Sequence, residues 1–388
     1  MDLELSQAMP KNKLEVRAHL SVPDIDNTPP RITLNEDAFV SMVYLERRRA
    51  ERSHKRFVLV LIDVQDALSA GHDRAVWGLS KALSESTRET DIFGWYLENS
   101  LMGIIGTELG KASNQVVQDC FLAKLRRAFE TNLGSNKSST ISVSFHFFPE
   151  EEGRDKSDHS ANIALYPDLQ KREKSKRFSL TAKRCIDIVG SGLALLCGVP
   201  IFGAIALTIK VTSKGPVLFK QERLGQYGKP FMFLKFRSMR TNCDAHIHQQ
   251  YVHQFIAGQV DLDSDVSKKP VYKIQEDPRV TTVGKFLRKT SLDELPQFWN
   301  VLRGEMSLVG PRPPIAYEYQ AYEVWHRRRV LEIKPGITGL WQVQGRSRTR
   351  FDDMVRLDLK YARVWSVWLD LKILAQTPVA VIQGEGAH

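Results

Sequence analysis

The sequence predicts an α/β protein with an N-terminal α+β domain, one membrane-associated helix and a small C-terminal α/β domain that carries amphipathic helices. Hydrophobic residues make up 42% and charged residues 26% of the 388 positions, which is ordinary for a folded protein. Charge is divided unevenly, because residues 1–160 hold 20 Lys and Arg against 24 Asp and Glu, whereas residues 161–388 hold 35 against 21. One long apolar run follows this boundary. The basic half should therefore favour phosphates, nucleic acid or an anionic membrane surface.

The cysteine pattern and the N-terminus indicate where the chain resides. The four cysteines, Cys120, Cys185, Cys197 and Cys243, are scattered without a C-x-x-C pair. This pattern argues for a reducing compartment and against a disulfide or zinc framework. The first residues, MDLELSQAMPKNKLEV, lack the basic-then-apolar pattern of a signal peptide. We therefore expect the bulk of the protein to lie in the cytoplasm.

The acidic half predicts a compact α+β domain over residues 36–150, preceded by a loosely ordered lead-in over 1–35 and followed by a basic linker over 151–182. The predicted elements are a helix and a strand within MVYLERRRAERSHKRFVLVLIDV, a helix over 74–87, a hairpin near 92–106, a helix over 114–133 and a strand over 140–148. This order of helices and strands predicts an antiparallel sheet with helices on one face.

Residues 183–212 contain the run IDIVGSGLALLCGVPIFGAIALTI, in which only Asp187, Ser191 and Thr208 are polar. About 20 such residues cross a bilayer, and helices that are apolar on every side are uncommon in soluble domains. Basic residues flank both ends, and cytoplasmic flanks attract Lys and Arg. Pro200 removes one backbone hydrogen bond near the middle. We expect a bent, re-entrant helix that enters and leaves by the same face; a straight span with a tolerated proline is the alternative.

The stretch GPVLFKQERLGQYGKPFMFLKFRSM alternates as two short strands around glycines, which is typical of a hairpin. It presents Gln221, Arg223, Lys235 and Arg237 as a cationic, hydrogen-bonding group. Charge-assisted contacts at this density suit a polyanion such as a diphosphate. Without further information, a solvated strand face explains the same residues equally well.

The stretch TSLDELPQFWN places two carboxylates, Asp293 and Glu294, side by side before a helical pattern. Ser291 and Glu294 fit an S-x-x-E capping box, but Pro296 then falls where the helix needs N–H donors. If Asp293 is the N-cap, Pro296 lies in the tolerated first turn, and the backbone N–H groups keep the carboxylate ionised. A carboxylate held in this way can be a cap, a metal ligand or a nucleophile.

Two further stretches present polar side chains from loops. In SLVGPRPP an apolar strand ends in a rigid turn, and Arg312 stands between Pro311 and Pro313. The turn-rich stretch KPGITGLWQVQGRS presents Gln342 and Arg346. These groups either bind a ligand or lie on the surface.

Residues 352–382 predict a helical stretch with Trp365 and Trp368 on an apolar side. Such an aromatic, basic amphipathic helix is suited to the membrane interface. Packing in the core is the equally weighted alternative.

In order along residues 180–382 stand KRCIDI, the proline-broken apolar segment, GPVLFKQERLG, FLKFRSM, LRKTSLDELPQFWNVLRGEMSLVGPRP, KPGITGLWQVQGR and LDLKYARVWSVWLDLKIL. This series resembles the bacterial sugar transferase family, the monotopic polyprenyl-phosphate phosphoglycosyl transferases that start exopolysaccharide, capsule and O-antigen synthesis. Several ordered motifs over some 200 residues make a specific signal. The resemblance implies a re-entrant membrane helix with both ends cytoplasmic, followed by a catalytic domain over 213–388.

The resemblance also implies a two-step exchange. Asp293 matches the aspartate that attacks the β-phosphate of a UDP-sugar, which releases UMP and leaves a phosphosugar on the carboxylate. Polyprenyl phosphate, undecaprenyl phosphate in bacteria, then attacks this intermediate. Glu294 matches the second member of the dyad, an acid/base or positioning group. Mg²⁺ is expected to bridge the phosphates, with Asp293 as its protein contact.

Other residues fall at family positions that support this reaction. Lys235, Arg288 and Arg312 match phosphate or nucleotide contacts, and Asp358 matches a position that supports the site. The chain departs from the family at the membrane bend, because Val199 precedes Pro200 where many members place Ser. The angle of the bend is therefore less determined by the resemblance.

The N-terminal stretch RETDIFGWYLENSLMGII resembles the hairpin of diguanylate cyclase domains. The Gly-Gly-Asp-Glu-Phe position holds LENSL, so the phosphate-admitting glycines and the metal-binding acids are gone and cyclase activity is not expected. Arg88 and Asp91 stand where such domains carry an R-x-x-D site for cyclic di-GMP; a structural Arg–Asp pair is the favoured interpretation. A degenerate domain of this kind is expected to regulate the transferase or to mediate homodimerisation.

Together these features predict an enzyme at the cytoplasmic face of the bacterial inner membrane, in contact with its lipids, that uses a UDP-sugar and polyprenyl phosphate. The rival hypothesis is a non-catalytic, membrane-bound, nucleotide-sensing scaffold. Nucleic-acid binding is not expected, because the basic half lacks an exposed aromatic and basic platform. No motif identifies the sugar.

Overall fold

A computed structural model describes residues 32–65, 72–133, 141–150, 160–240, 246–257, 279–344 and 350–382. Most of the predicted lead-in, the first nine residues of the predicted linker, Cys243 and Arg346 lie outside these ranges.

The N-terminal domain contains a four-stranded sheet in the order β2-β3-β1-β4, with every neighbouring pair antiparallel. Its elements are α1 (Glu36–Ser53), β1 (Phe57–Asp63), α2 (His72–Ser86), β2 (Ile92–Leu97), β3 (Leu101–Gly106), α3 (Asn114–Leu133) and β4 (Ser142–Phe148). The order and type of these elements agree with the sequence prediction, and the antiparallel sheet is confirmed. Asn35 caps α1 by accepting a hydrogen bond from the Ala38 amide, as expected for an N-cap asparagine.

Helices cover both faces of this sheet, so the prediction of helices on one face is wrong. Val58, Val60 and Ile62 of β1 pack against α2 and α3, whereas Leu59 and Leu61 pack against α1 and the segment after residue 160. The physical reason is visible in β1 itself, since FVLVLI is continuously apolar and six of its seven residues are buried. A strand that is buried on both sides needs apolar residues at every position rather than at alternate ones.

The segment predicted as a basic linker is folded where the structure describes it. A 3-10 turn (Ile163–Leu165) leads into α4 (Pro167–Ser175), which begins with a proline at a position that tolerates it. Arg47 of α1 is 1% exposed and forms two hydrogen bonds of 3.0 Å with Asp168. Arg47 therefore fixes α4 to the N-terminal domain, and α5 starts directly afterwards at Arg177.

Helix α5 (Arg177–Thr212) is long and apolar enough to cross a membrane by length and composition, and only 11% of its most apolar 18 residues are buried in the protein. The helix starts six residues before the predicted boundary. It is continuous through Pro200, so the structure shows a single helix across the predicted bend. Both halves contact the C-terminal domain. Asp187 lies against β7 in the first half, and Ile205 and Ile209 pack with Phe236 in the second.

The C-terminal domain combines a hairpin, a short parallel strand pair and several short helices. Its elements are β5 (Leu218–Leu224), β6 (Pro230–Phe236), α6 (His246–Ile256), α7 (Thr282–Lys289), α8 (Gln297–Arg303), β7 (Ser307–Val309), α9 (Ala316–Gln320), α10 (Val324–Leu331), β8 (Gly336–Thr338), α11 (Leu340–Gln344), α12 (Phe351–Val364) and α13 (Val367–Ile382). Strands β5 and β6 pair antiparallel, which confirms the predicted hairpin, and β7 pairs with β8 in parallel.

Two predictions for this domain need correction. The stretch KPGITGLWQVQGRS, predicted as turn-rich, contributes strand β8 and helix α11. The predicted helical stretch over 352–382 is two helices, α12 and α13, and its tryptophans have different environments. Trp365 is 5% exposed and belongs to the core, whereas Trp368 is 76% exposed. The core interpretation is therefore confirmed for Trp365, and the interface interpretation stays a prediction for Trp368.

Candidate active site

The two adjacent carboxylates lie in a short 3-10 turn (Leu292–Glu294) that connects α7 to α8. Ser291, before this turn, has a φ of 57° and makes no side-chain cap. Helix α8 begins at Gln297 with Pro296 as its N-cap residue. The predictions of Asp293 as the N-cap and of a Ser291 capping box are therefore wrong. The turn ends before α8 begins, so Asp293 lies too early in the chain to cap it.

Lys235 of β6 stands between the two carboxylates. Its Nζ lies 3.0 Å from Glu294 Oε1 and 3.8 Å from Asp293 Oδ2. Asp293 is 6% exposed. Adjacent carboxylates repel each other, and a cation within hydrogen-bond distance offsets this repulsion and stabilises their ionised forms. The structure thus brings together three of the residues that the sequence singled out.

Arg237 and Arg288 lie beyond Lys235, at the end of β6. Arg237 Nη2 donates to the Ser213 carbonyl oxygen (2.9 Å) and to Ser213 Oγ (2.6 Å). Arg288 Nε donates to Ser238 Oγ at 3.0 Å. The end of β6 therefore gathers cationic residues next to the last residues of the membrane-associated helix.

The other two members of the predicted hairpin group, Gln221 and Arg223, have structural partners. Arg223 is 4% exposed, donates to the Pro313 carbonyl oxygen at 2.7 Å and to Gln221 Oε1 at 3.0 Å, and lies 4.4 Å from the Phe233 ring centroid. These contacts tie the hairpin to the proline loop. The hairpin cations thus divide into Lys235, which faces the carboxylates, and Arg223, which holds a loop.

The loop that carries Arg312 is fixed by backbone hydrogen bonds. Gly310 N donates to the Thr338 carbonyl oxygen and Gly336 N to that of Pro311, both at 2.8 Å. A Cβ at Gly336 would lie 2.0 Å from Gly310 N, so a larger residue would separate these segments. These hydrogen bonds hold the predicted turn against β8, and glycine at 336 permits the close approach.

Asp358 supports this loop through a residue that the sequence analysis missed. Arg329 of α10 lies 2.7 Å from Asp358 Oδ2, and both side chains are at most 3% exposed. Arg329 also donates to the Arg312 carbonyl oxygen at 3.4 Å. Burial raises the pKa of Asp358 to about 6, and the Arg329 charge acts in the opposite direction. In the sequence, Arg329 is one of several arginines in HRRRV. This pattern does not single it out as a site residue.

Gln342 belongs to the β8–α11 junction. Its Nε2 donates to the Ile337 carbonyl oxygen at 3.3 Å, and its Oε1 makes no hydrogen bond within the described part of the chain. This hydrogen bond ties Gln342 to β8. Its predicted role in substrate binding stays a prediction, and Arg346 falls outside the described residues.

Helix α8 contributes two buried amides that the sequence analysis did not single out. Asn300 accepts from the Leu234 amide at 3.2 Å and donates to the Met232 carbonyl oxygen at 2.8 Å, so it joins α8 to β6. Gln297 is 2% exposed, and its Nε2 makes no hydrogen bond to any described residue. Both residues lie in α8, shortly after the dyad. The sequence pattern QFWN predicts a helix with aromatic residues but does not indicate a role for these two amides.

Charged residues of α5 attach the membrane-associated helix to this domain. Asp187 Oδ1 accepts from Ser307 Oγ and from the Leu308 amide, both at 2.9 Å. Lys183 Nζ lies 2.6 Å from Asp370 Oδ2, which also accepts from Trp365 Nε1 at 3.0 Å. The signal for Asp187 was present in the sequence, because a carboxylate within an apolar run needs a polar partner.

Arg88 and Asp91 form a local turn in the N-terminal domain. Asp91 is 4% exposed, and its Oδ2 accepts from the Arg88 amide at 2.9 Å. Both residues line a cavity of about 180 Å³ between the end of α2 and α3. The hydrogen bond supports the structural interpretation of the pair, and cyclic di-GMP binding stays a prediction.

Asp293 and Glu294 fit the predicted Mg²⁺ when the metal binds together with substrate phosphates. Within the described ranges, His, Cys, Asp and Glu form no group of three or more that could hold a metal by itself. Mg²⁺ keeps several waters and commonly uses one or two carboxylates together with substrate phosphates. Asp293 beside Glu294 provides this kind of donor set, so the residues present fit a metal that binds with a diphosphate substrate.

Comparison with known proteins gives the class of the chain. The family model "Bacterial sugar transferase" matches residues 178–384, more than half of the chain. The chain therefore belongs to the bacterial sugar transferase family, and the resemblance drawn from the motifs is confirmed.

Two relatives show how far the similarity extends. The chain is 46% identical over 211 residues to the galactosyl transferase CpsE of Streptococcus agalactiae serotype III (strain NEM316), covering 54% of this chain and 44% of that protein. It is 43% identical over 206 residues to the UDP-glucose:undecaprenyl-phosphate glucose-1-phosphate transferase of Klebsiella pneumoniae, covering 51% and 40%. The chain thus spans less than half the length of these relatives.

One solved structure is distantly similar to the chain as a whole. The chain matches the S helix-GGDEF-EAL structure of Vibrio cholerae LapD, bound to c-di-GMP, with a TM-score of 0.24 and 11% identity over 73% of this chain and 75% of that one. A likeness at this level establishes neither fold nor ligand. The cyclase-like nature of residues 36–150 stays a prediction.

Proposed function

We propose that the protein transfers a sugar-1-phosphate from a UDP-sugar to polyprenyl phosphate, undecaprenyl phosphate in bacteria, and so starts the synthesis of an exopolysaccharide, capsule or O-antigen. The observation that carries the proposal is the buried Asp293 beside Glu294, with Lys235 between them, in a member of the bacterial sugar transferase family.

In the first step, an oxygen of the Asp293 carboxylate attacks the β-phosphorus of the UDP-sugar. A bond forms between this oxygen and phosphorus, the bond to the bridging oxygen breaks, and UMP leaves with the electron pair. The product on the enzyme is a mixed anhydride of the carboxylate and the sugar phosphate. Lys235 favours this step because its ammonium group lies 3.8 Å from Asp293 Oδ2 and offsets the charge of the incoming phosphates.

In the second step, a phosphate oxygen of the polyprenyl phosphate attacks the same phosphorus. The bond to Asp293 breaks, the carboxylate is restored, and the product is a polyprenyl diphosphate sugar. No net proton is required in either step. Glu294 lies 3.0 Å from Lys235 and positions that ammonium group between the two acids.

Mg²⁺ bound with the diphosphate would screen the negative charge that repels an anionic nucleophile. Asp293 is the protein residue that we expect to contact it. Arg288 and Arg312 would neutralise the remaining phosphate charge, since arginine donates several hydrogen bonds to phosphate oxygens.

We place the protein at the cytoplasmic face of the inner membrane, with α5 as a re-entrant helix. Both halves of α5 contact the same domain, which supports a helix whose ends lie on one side of the bilayer. Three exposed aromatic residues on helices would lie in the interface. They are Phe286, Trp299 and Trp368, which are 60%, 48% and 76% exposed.

The sugar has to be found by experiment, because relatives with similar identity are named for galactose in one case and for glucose in another. UMP release is measured with detergent-purified full-length protein, undecaprenyl phosphate, Mg²⁺ and a panel of UDP-sugars. We expect release with one donor and its loss in Asp293→Asn and in EDTA.

The matched control is Asp353→Asn, which removes a half-exposed carboxylate on the surface of α12. We expect its rate to stay within twofold of the unaltered protein. Release that persists at full rate in Asp293→Asn would refute the mechanism. Silence of the unaltered protein across a broad panel would instead favour the membrane-bound scaffold.

A further inference from the structure

Arg237 occupies the junction between the hairpin and the end of the membrane-associated helix. It directly follows β6, and its amide donates to the Val217 carbonyl oxygen at 2.9 Å, which extends the hairpin ladder by one residue. Its Nη2 donates to Ser213, the residue immediately after α5. Arg237 thus stands where the chain leaves the lipid-facing segment.

The guanidinium of Arg237 has unused hydrogen-bonding capacity in a buried position. The residue is 6% exposed, and its Nε and Nη1 make no hydrogen bonds with residues in the described ranges. Burial of charged donors without acceptors is costly, so an acceptor is expected in the functional state of the protein. Because arginine stays protonated, that acceptor should be an anion.

Lys235 and Arg237 face the same side of the hairpin. They are two residues apart on an extended segment, and alternate residues of a strand point to the same face. Lys235 contacts the dyad, so Arg237 lies one step further from Asp293 and Glu294, in the direction of the end of α5. The two cations form a path from the membrane helix to the reacting carboxylates.

The location distinguishes between the two phosphate substrates. The acceptor carries its phosphate on a lipid tail, so this phosphate must lie at the bilayer surface where α5 leaves it. Leu207 and Val211, on the last turns of α5, are 67% and 78% exposed and present apolar surface at that place. A UDP-sugar arrives from the aqueous side and needs no group at the end of a lipid-facing helix.

We propose that Arg237 binds the phosphate of the polyprenyl phosphate acceptor through Nε and Nη1, while Ser213 holds its Nη2, and that it directs this phosphate along the Lys235 side of the hairpin towards Asp293. This inference rests on the proposed transferase function and adds which residue recognises the lipid substrate. The competing explanation is structural, in which Arg237 only satisfies the carbonyl groups at the C-terminal end of α5.

The experiment measures binding and kinetics separately in the full-length protein. The first readout is equilibrium binding of undecaprenyl phosphate in lipid nanodiscs without UDP-sugar, compared with nanodiscs that contain phosphatidic acid and with inorganic phosphate. The second readout is the KM for undecaprenyl phosphate and for the UDP-sugar in the UMP-release assay. The variants are Arg237→Gln and Arg237→Lys, with Lys214→Gln as the matched control, because Lys214 is an exposed cation at the same helix end.

We expect Arg237→Gln to weaken undecaprenyl phosphate binding at least tenfold and to raise the acceptor KM at least tenfold more than the donor KM. Arg237→Lys should fall between this variant and the unaltered protein, and Lys214→Gln should stay within twofold. Equal increases of both KM values, or unchanged acceptor binding, would overturn the proposal in favour of the structural role. Equal loss of binding to phosphatidic acid would also overturn it, since the site would then recognise any anionic headgroup.

The binding readout needs no turnover, so it decides the role of Arg237 even if no UDP-sugar is accepted. Failure of the proposed function would appear as an absence of UMP release by the unaltered protein. Failure of the inference would appear as unaltered acceptor binding in Arg237→Gln. The two failures are therefore distinguishable, and Arg237→Lys guards against a variant that simply does not fold.

Discussion

At the scale of single residues, the candidate site depends on charged side chains that form ion pairs with one another. Lys235 Nζ contacts both carboxylates of the dyad, and Arg329 pairs with the buried Asp358 while it donates to the Arg312 carbonyl oxygen. The first contact acts on the proposed nucleophile directly. The second acts on the loop that carries Arg312. These two arrangements lead to different predictions, one for turnover and one for stability.

Removal of the Lys235 charge should impair the reaction with the donor. In Lys235→Met the adjacent carboxylates lose the cation that lies 3.0 Å from Glu294 and 3.8 Å from Asp293. We expect kcat/KM for the UDP-sugar to fall by about 100-fold, in the range found when one electrostatic contact to a transition state is lost. UMP release measures this value. Lys229→Met, an exposed cation of the same hairpin, should change it less than twofold, and an equal fall there would contradict the prediction.

The buried Asp358 should make stability depend on pH with a defined sign. Its folded-state pKa is raised to about 6 from an ordinary value of 3.8, so the folded protein holds this proton more tightly than the unfolded chain. The favourable contribution of the protonated form is complete below pH 3.8 and is lost as the pH rises towards 6. At 1.36 kcal/mol for each pKa unit, the total change is about 3 kcal/mol.

Asp358→Asn removes this titration. We therefore expect the unfolding temperature of the variant, relative to the unaltered protein, to rise between pH 4 and pH 7 and to level off above that range. Thermal unfolding of detergent-purified protein at a series of pH values measures the difference, in which the titration of other groups cancels. A difference that is constant with pH, or that falls, would show that the pKa of Asp358 is not raised.

At the scale of elements, a buried polar network holds the membrane-associated helix against the last two helices. Lys183 lies 2.6 Å from Asp370, and Tyr361 Oη donates to the second carboxylate oxygen at 2.5 Å. Lys183 also donates to the Val309 carbonyl oxygen at 3.0 Å. The contacts join α5, α12 and α13 at β7, so they fix the position of the helix relative to the proline loop.

A double-mutant cycle tests this network. Lys183→Met leaves Asp370 buried without its cation, and we expect a loss of about 3–5 kcal/mol, as for other broken buried ion pairs. Lys183→Met combined with Asp370→Leu should cost less than the sum of the two single changes. Chemical unfolding in detergent measures these free energies. The exposed pair Arg356 and Asp353 is the control, with a coupling below about 1 kcal/mol, and additive effects at Lys183 and Asp370 would contradict the prediction.

The sequence predicted elements well where local pattern decides them and less well where tertiary contacts decide. The hairpin β5–β6 followed from alternation and turn residues, and the antiparallel N-terminal sheet followed from the order of its elements along the chain. The second layer of helices did not, because α4 acquires its apolar neighbours only when it folds back onto β1. Asp293 was recognised as a site residue through the motif, whereas its assignment as a cap failed since the 3-10 turn is a separate element.

At the scale of the whole molecule, α10 contacts both the N-terminal domain and the loop that carries Arg312. Leu331 is 2% exposed and packs in the core formed by α1, β1 and α4. Two residues earlier, Arg329 contacts Asp358 and the Arg312 carbonyl oxygen. A displacement of the N-terminal domain would therefore move the same short helix that supports the proline loop. Helix α10 is therefore the structural connection through which the N-terminal domain would exert its predicted regulatory role.

Weakening the contact at Leu331 should affect both the N-terminal domain and the loop that carries Arg312. In Leu331→Ala the lost apolar contact leaves a cavity between α10 and the N-terminal domain. We expect faster amide hydrogen exchange in α1 and also in the segment 307–318, together with a change of at least twofold in kcat/KM for the UDP-sugar. Hydrogen exchange measured by mass spectrometry and the UMP-release assay provide the two readouts.

Ile333→Ala is the matched control, because Ile333 is 8% exposed and packs in the core of the C-terminal domain rather than against α1. It should accelerate exchange near β7 and β8 and leave α1 unchanged. Faster exchange in α1 alone after Leu331→Ala, with the segment 307–318 and turnover unaltered, would show that the two domains are joined without being coupled. Changes at both places would make α10 the element that couples the N-terminal domain to the loop that carries Arg312.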